Sequence, residues 1–126
     1  MRFLNMIKGR EHVGPPPNAL MAAIAKLGEE AMKVGVLVET GGLFPSAMGA
    51  RVRLSEGNLA VTDGPFAEVK EVIGGYAVYD VKSKEEAVTW ATRFMQLHKD
   101  HWPGWEGEAE IRQIFDAPSN PKGGKN

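Results

Sequence analysis

The segment that most constrains this chain is Val72–Val81, which reads Val-Ile-Gly-Gly-Tyr-Ala-Val-Tyr-Asp-Val. Its composition is that of a strand. The two-residue alternation of a strand sends Ile73, Ala77, Tyr79 and Val81 to one face and Val72, Tyr76 and Val78 to the other. A strand that is apolar on both faces has to be covered twice, and the chain has only two helical segments with which to cover one of them. Leaving the second face wet forfeits about 1.5–3 kcal/mol for each large apolar side chain. A patch of that kind marks an interface. The expectation is a homodimer in which sheet packs on sheet.

The flanking segments supply the rest of the pattern. Arg2–Lys8 reads as a strand, and the loop Gly9–Pro17 follows it. Pro15–Pro17 stiffen the end of that loop, where Asn18 is placed to cap a helix. Leu20, Ile24, Leu27, Ala31 and Val34 then recur at helical spacing, with Lys26, Glu29, Glu30 and Lys33 on the other side and Gly35 as the stop. Val36–Glu39 is a short strand ahead of the loop Thr40–Pro45. Arg51–Leu54 and Leu59–Thr62 form a hairpin through Glu56-Gly57-Asn58. Ser83 and Glu86 have capping-box spacing and open a second helix carrying Ala87, Ala91, Phe94 and Met95, expected to end near Leu97. His98–Gly107 reads as a loop and Glu108–Phe115 as the last strand. Residues 1–116 make one domain, and Ala117–Asn126 a flexible C-terminal tail. The order β-α-β-(hairpin)-β-α-β is α+β: a ferredoxin-like βαββαβ pattern with an inserted β-hairpin.

Composition narrows the function classes. At 126 residues the chain is one domain. Fifteen basic and 16 acidic residues leave a net charge of -1, so no basic field exists to capture nucleic acid. The absence of cysteine removes disulfides, thiolate nucleophiles and thiolate-ligated metals. Apolar runs are too short to span a membrane, the N-terminus lacks a secretory core, and a cytoplasmic setting is expected.

The run Val61-Thr62-Asp63-Gly64-Pro65-Phe66-Ala67-Glu68-Val69-Lys70-Glu71, followed by Gly74-Gly75-Tyr76, closely resembles the signature of the YCII-related family in its DGPF-domain branch. The resemblance continues through Glu86-Ala87 and Trp90-Ala91 to Glu110-Ile111-Arg112. It implies a ferredoxin-like domain that dimerises into an α/β barrel. Relatives with similar barrels include dehydrochlorinases, muconolactone isomerases and small monooxygenases. A branch of the family with a proposed active site uses an early His paired with an Asp. Here the early region offers only His12, with no family motif around it, so that pair is not carried over.

Candidate site residues follow from chemistry and spacing. Asp63 is either a turn former, its carboxylate bonded to local backbone N–H groups, or a proton carrier at a strand end. Glu68, Lys70 and Glu71 either balance a polar pocket around an anionic substrate or form a solvated strand entrance. Arg51 and Arg53 share a strand face and could hold a carboxylate. Tyr76 can donate to a ligand oxygen or pack in the core or dimer face. Gly74-Gly75 marks a bulge or close backbone packing rather than a phosphate loop. His98 and His101 have a metal-like spacing without a defined third ligand, so no metal and no cofactor are expected. Trp102 and Trp105 either pin the loop to the body or wall a ligand pocket. Three functional readings stand side by side. One is metal-free acid–base chemistry of the lyase or isomerase kind near Asp63, another is a non-catalytic ligand-binding or regulatory module, and the third is a structural dimer with no ligand.

Overall fold

The computed structural model describes residues 1–66 and 70–115. Glu68 and the tail from Ala117 onward lie outside the described residues. In chain order the elements are β1 (Arg2–Gly9), α1 (Asn18–Lys33), β2 (Leu37–Gly42), a short 3-10 turn (Ser46–Met48), β3 (Ala50–Ser55), β4 (Asn58–Asp63), β5 (Val72–Asp80), α2 (Lys84–His101) and β6 (Gly107–Gln113).

β5, the two-sided strand, pairs antiparallel with β1 from Arg2↔Asp80 to Gly9↔Val72, and the two form the centre of a four-stranded sheet ordered β2-β5-β1-β6. All its pairings are antiparallel. Numbering only these four strands along the chain, the order is 4-1-3-2, which is compatible with a ferredoxin-like fold. β3 and β4 form a separate two-stranded sheet.

The inner face of the large sheet carries the core. Phe3 and Tyr79 pack with Val36 and Val81 against Ala87 and Ala91 of α2, whose small side chains let the helix approach closely. On the outer face Leu4 pairs with Val78 and Met6 with Tyr76, all four half-buried. Beside them Lys8 Nζ lies 2.7 Å from Glu110 and 3.2 Å from Glu108, contacts that hold the lysine pKa above its ordinary value.

Several boundaries differ from the sequence reading for local reasons. Pro17, not Asn18, occupies the N-cap of α1; its carbonyl accepts from Leu20 N and Met21 N, and no side chain caps the helix. Val34 falls at the C-cap and is exposed, so the buried stripe ends at Ala31. Gly35, at φ +77°, closes the helix by donating to the Met32 carbonyl. β2 runs past Glu39 to Gly42 because a bulge at Val38 resets its register on β5. At α2 the Ser83 hydroxyl accepts from Glu86 N at 3.1 Å, while Glu86 reaches back to Lys82 N at 2.9 Å. That helix continues beyond Leu97 to His101, so His98 is helical and not part of a loop.

The paired glycines do what their position implies. The register of β1 on β5 jumps from Ile7↔Gly75 to Lys8↔Ile73, which leaves Gly74 in a bulge. A second tight approach explains the turn after β4. A side chain at Gly64 would overlap the Ser46 carbonyl, Gly64 N donates to Gly49 O at 2.9 Å, and Phe66 N donates to Ser46 Oγ at 3.3 Å. Ser46 is in turn gripped by Glu11, whose two carboxylate oxygens accept from Ser46 N and Ser46 Oγ, each at 2.6 Å. These bonds hold the Glu11 pKa below its ordinary value. Three loops are thereby tied into one corner.

Candidate functional site

A cavity of about 750 Å3 lies between the helices and the inner face of the sheet. Leu20, Ile24, Leu27 and Ala31 of α1 line it, so the stripe read from the sequence faces a void as well as a core. From the sheet come Asn5, Ile7, Leu37, Ala77 and Tyr79, and from α2 Trp90, Phe94 and His98. Exposed loop residues such as His12, Leu43 and Phe44 also line it and open that end to solvent. All three tryptophans of the chain, and Tyr79, are in its wall.

Asn5 is the buried polar feature of this wall. It sits between Phe3 and Ile7 on β1, in an inward position of the strand, and is only 1% exposed. Its Nδ2 donates to the Tyr79 hydroxyl at 3.4 Å, and its Oδ1 is buried with no partner in the protein. A sealed amide oxygen costs about 1–3 kcal/mol when nothing bonds to it. Burial pushes the Tyr79 phenol pKa up, so it stays a hydroxyl able to donate.

His98 is the second polar group. Its Nδ1 lies 3.1 Å from the Phe94 carbonyl, which can only accept, so Nδ1 carries the proton and Nε2 the lone pair. Burial lowers its pKa and keeps the ring neutral at neutral pH. The ring packs against Phe94 at 4.8 Å and Trp105 at 4.6 Å between centroids, and Trp102 stacks on Trp105 at 5.8 Å. Trp102 and Trp105 therefore both pin the end of α2 and wall the cavity.

Of the sequence-derived candidates, His98, Trp102 and Trp105 line this cavity. Tyr76 borders it from β5, but its side chain is on the outer face with Met6, its ring against Gly41 and its hydroxyl donating to Glu39 Oε2 at 2.6 Å. That bond raises the phenol pKa. Asp63 ends β4 opposite Ala50, and Arg53 lies on β3; both are exposed and neither lines the cavity. Lys70 is likewise exposed and outside it, and Glu68 is outside the described residues. Arg51 stacks its guanidinium 3.9 Å from the Phe66 ring centroid. Among the described residues, no group of three or more His, Asp or Glu side chains is arranged to hold a metal. No helix there is long and apolar enough to cross a membrane.

The sequence reading passes over Asn5 and gives His98 only a metal-like spacing with His101, although each left a signal. Asn5 is a polar residue in phase with Phe3 and Ile7. His98 continues the stripe Ala87, Ala91, Phe94 by one more helical step.

Comparison with known proteins agrees with the resemblance at the level of the family. An uncharacterised protein of Rhizobium meliloti (strain 1021) is 37% identical over 71 residues, which cover 56% of this chain and 55% of that protein. The match thus spans about half the length of that curated relative. The model of the YCII-related domain matches residues 1–103, most of the chain. With its α+β architecture and this match, the chain belongs to the YCII-related family.

Proposed function

We propose that this YCII-related protein is a small-molecule-binding homodimer whose ligand sits in the cavity between the helices and the sheet. The wall carries the reading: it is apolar and aromatic, and within it lies the buried Oδ1 of Asn5 without a protein partner. Packed interiors hold few voids larger than a water, whereas ligand sites of about 300–1,000 Å3 combine apolar walls with a few placed polar groups. Binding is favoured over acid–base chemistry because the one carboxylate among the described lining residues, Glu11, is engaged by Ser46. N-phenyl-1-naphthylamine, a neutral apolar fluorophore, tests it. The dye should bind saturably, one per chain, and Gly28→Phe should abolish binding by projecting a ring from α1 into the cavity. Equal dye binding by both proteins overturns the reading.

Two apolar surfaces support the dimer. One is the outer sheet face with Leu4, Met6, Tyr76 and Val78. The other is the hairpin, where Val52 pairs with Val61 and Leu54 with Leu59 on one face, each about 70% exposed. Packing of two sheets through the outer face would form the α/β barrel of the relatives, and the Asp63–Phe66 motif supports the DGPF branch. Light scattering should give twice the 13.7 kDa chain mass. A folded monomer at low micromolar concentration rules the dimer out.

A further inference from the structure

We infer that the cavity selects a planar, uncharged aromatic ligand bearing a hydrogen-bond donor beside an acceptor, as on the edge of a lactam. This rests on the cavity being a ligand site and adds what that site recognises.

The polar part of the inference is the pair Asn5 and Tyr79. With Nδ2 donating to the Tyr79 oxygen, Oδ1 of Asn5 is left as an acceptor and the tyrosine O–H as a donor. With the amide turned over, Tyr79 donates to Oδ1; Nδ2 is then the group without a partner, and the tyrosine oxygen the free acceptor. Either arrangement holds one donor and one acceptor side by side in the cavity wall, under cover that a ligand must part to reach them. A ligand with only one of the two leaves a buried group unpaired, which costs more than the bond contributes. A lactam edge, with N–H next to C=O, satisfies both.

Charge and shape give the rest. The buried polar residues of the wall, Asn5 and His98, are uncharged, the latter because burial between Phe94 and Trp105 disfavours the imidazolium. The charged lining residues Arg10 and Glu11 lie in the loop after β1, away from the buried pair on the strands. An ionised ligand group beside Asn5 would be desolvated without a counter-charge. Trp90, Phe94, Trp102, Trp105 and Tyr79 present ring faces and edges, which favour a flat aromatic partner in stacked or edge-on contact.

The test compares 2-quinolone with N-methyl-2-quinolone, which keeps the rings and carbonyl but lacks the N–H. Because all three tryptophans line the cavity, their indole N–H resonances report occupancy in the full-length protein. 2-Quinolone should bind about tenfold more tightly than its N-methyl analogue, the difference made by about one buried hydrogen bond. Asn5→Leu, which removes the amide at similar volume, should bring the two affinities together. If that variant does not fold, Tyr79→Phe carries the test: it keeps the ring and should weaken 2-quinolone binding several-fold. Equal affinities in the wild type, a preference that survives Asn5→Leu, or unchanged 2-quinolone binding by Tyr79→Phe each overturn the inference. Dye binding without binding of either quinolone rejects this inference alone, while loss of dye binding as well rejects the ligand site itself.

Discussion

The four-stranded sheet and the β3–β4 hairpin are built from the same kind of alternating sequence, yet they end in opposite environments. On β1 and β5 the inward residues Phe3 and Tyr79 are nearly inaccessible, because α2 closes over them with Ala87 and Ala91. On the hairpin Val52, Leu54, Leu59 and Val61 alternate just as regularly and stay about 70% exposed, with no helix of the described residues above them. A two-stranded hairpin is marginal in water by itself. The difference teaches that alternation specifies which residues share a face, and that only a second layer decides whether the face is buried. In the body that layer is supplied by the chain's own helices. For the hairpin none of the described residues supplies it.

Four measurements break or sharpen this contrast, beginning with the largest effect. Phe3→Ala removes a ring from the closed core and should cost about 3–5 kcal/mol in urea unfolding; a loss below about 1 kcal/mol would mean that the helix layer does not seal the sheet. Gly64→Ala, at the junction of hairpin and body, forces a methyl group into the Ser46 carbonyl. It should cost about 1–3 kcal/mol, as overpacking does, and an unperturbed melting temperature would contradict the tight corner.

The third measurement is a pH profile of the body. The His98 pKa is depressed by burial from the ordinary 6.5, so the unfolded chain takes up the proton at higher pH than the folded one. The neutral ring's contribution is fully present above about 6.5 and is lost as pH falls through the lower folded value. Wild-type stability should therefore fall in that window more than that of His98→Gln. Parallel profiles would place His98 in water. The smallest effect concerns the hairpin. Val52→Thr with Val61→Thr should change the stability of the dilute single chain by no more than about 0.5 kcal/mol, the scale of surface substitutions. The wild-type melting temperature should rise with protein concentration and that of the variant should not. A concentration-independent wild type would leave the hairpin face without a partner.

The chemistry of the site was less legible than the fold, for the same reason that separates body from hairpin. Period-2 and period-3.6 patterns are local, so both helices, the succession of strands and the Gly74-Gly75 bulge could be read along the chain. Boundaries moved where a neighbouring group intervened. Pro17 took the cap from Asn18, and α2 ran on to His101 and carried His98 from a presumed loop onto the cavity wall. Asp63 drew attention by its motif, yet the tightest constraint in that motif lies at Gly64, whose backbone touches Ser46.

The sequence by itself determined the α+β class, the two amphipathic helices, the inserted hairpin and the two-sided central strand, because each depends on the spacing of apolar residues within one segment. Only the tertiary structure decided that Asn5 and Tyr79 meet, that Trp90, Trp102 and Trp105 share one cavity, and that Asp63, Arg53 and Lys70 stay outside it. Those are contacts between residues far apart in the chain. Their energies depend on burial and on the partner at hydrogen-bond distance, and neither is a property of any single segment.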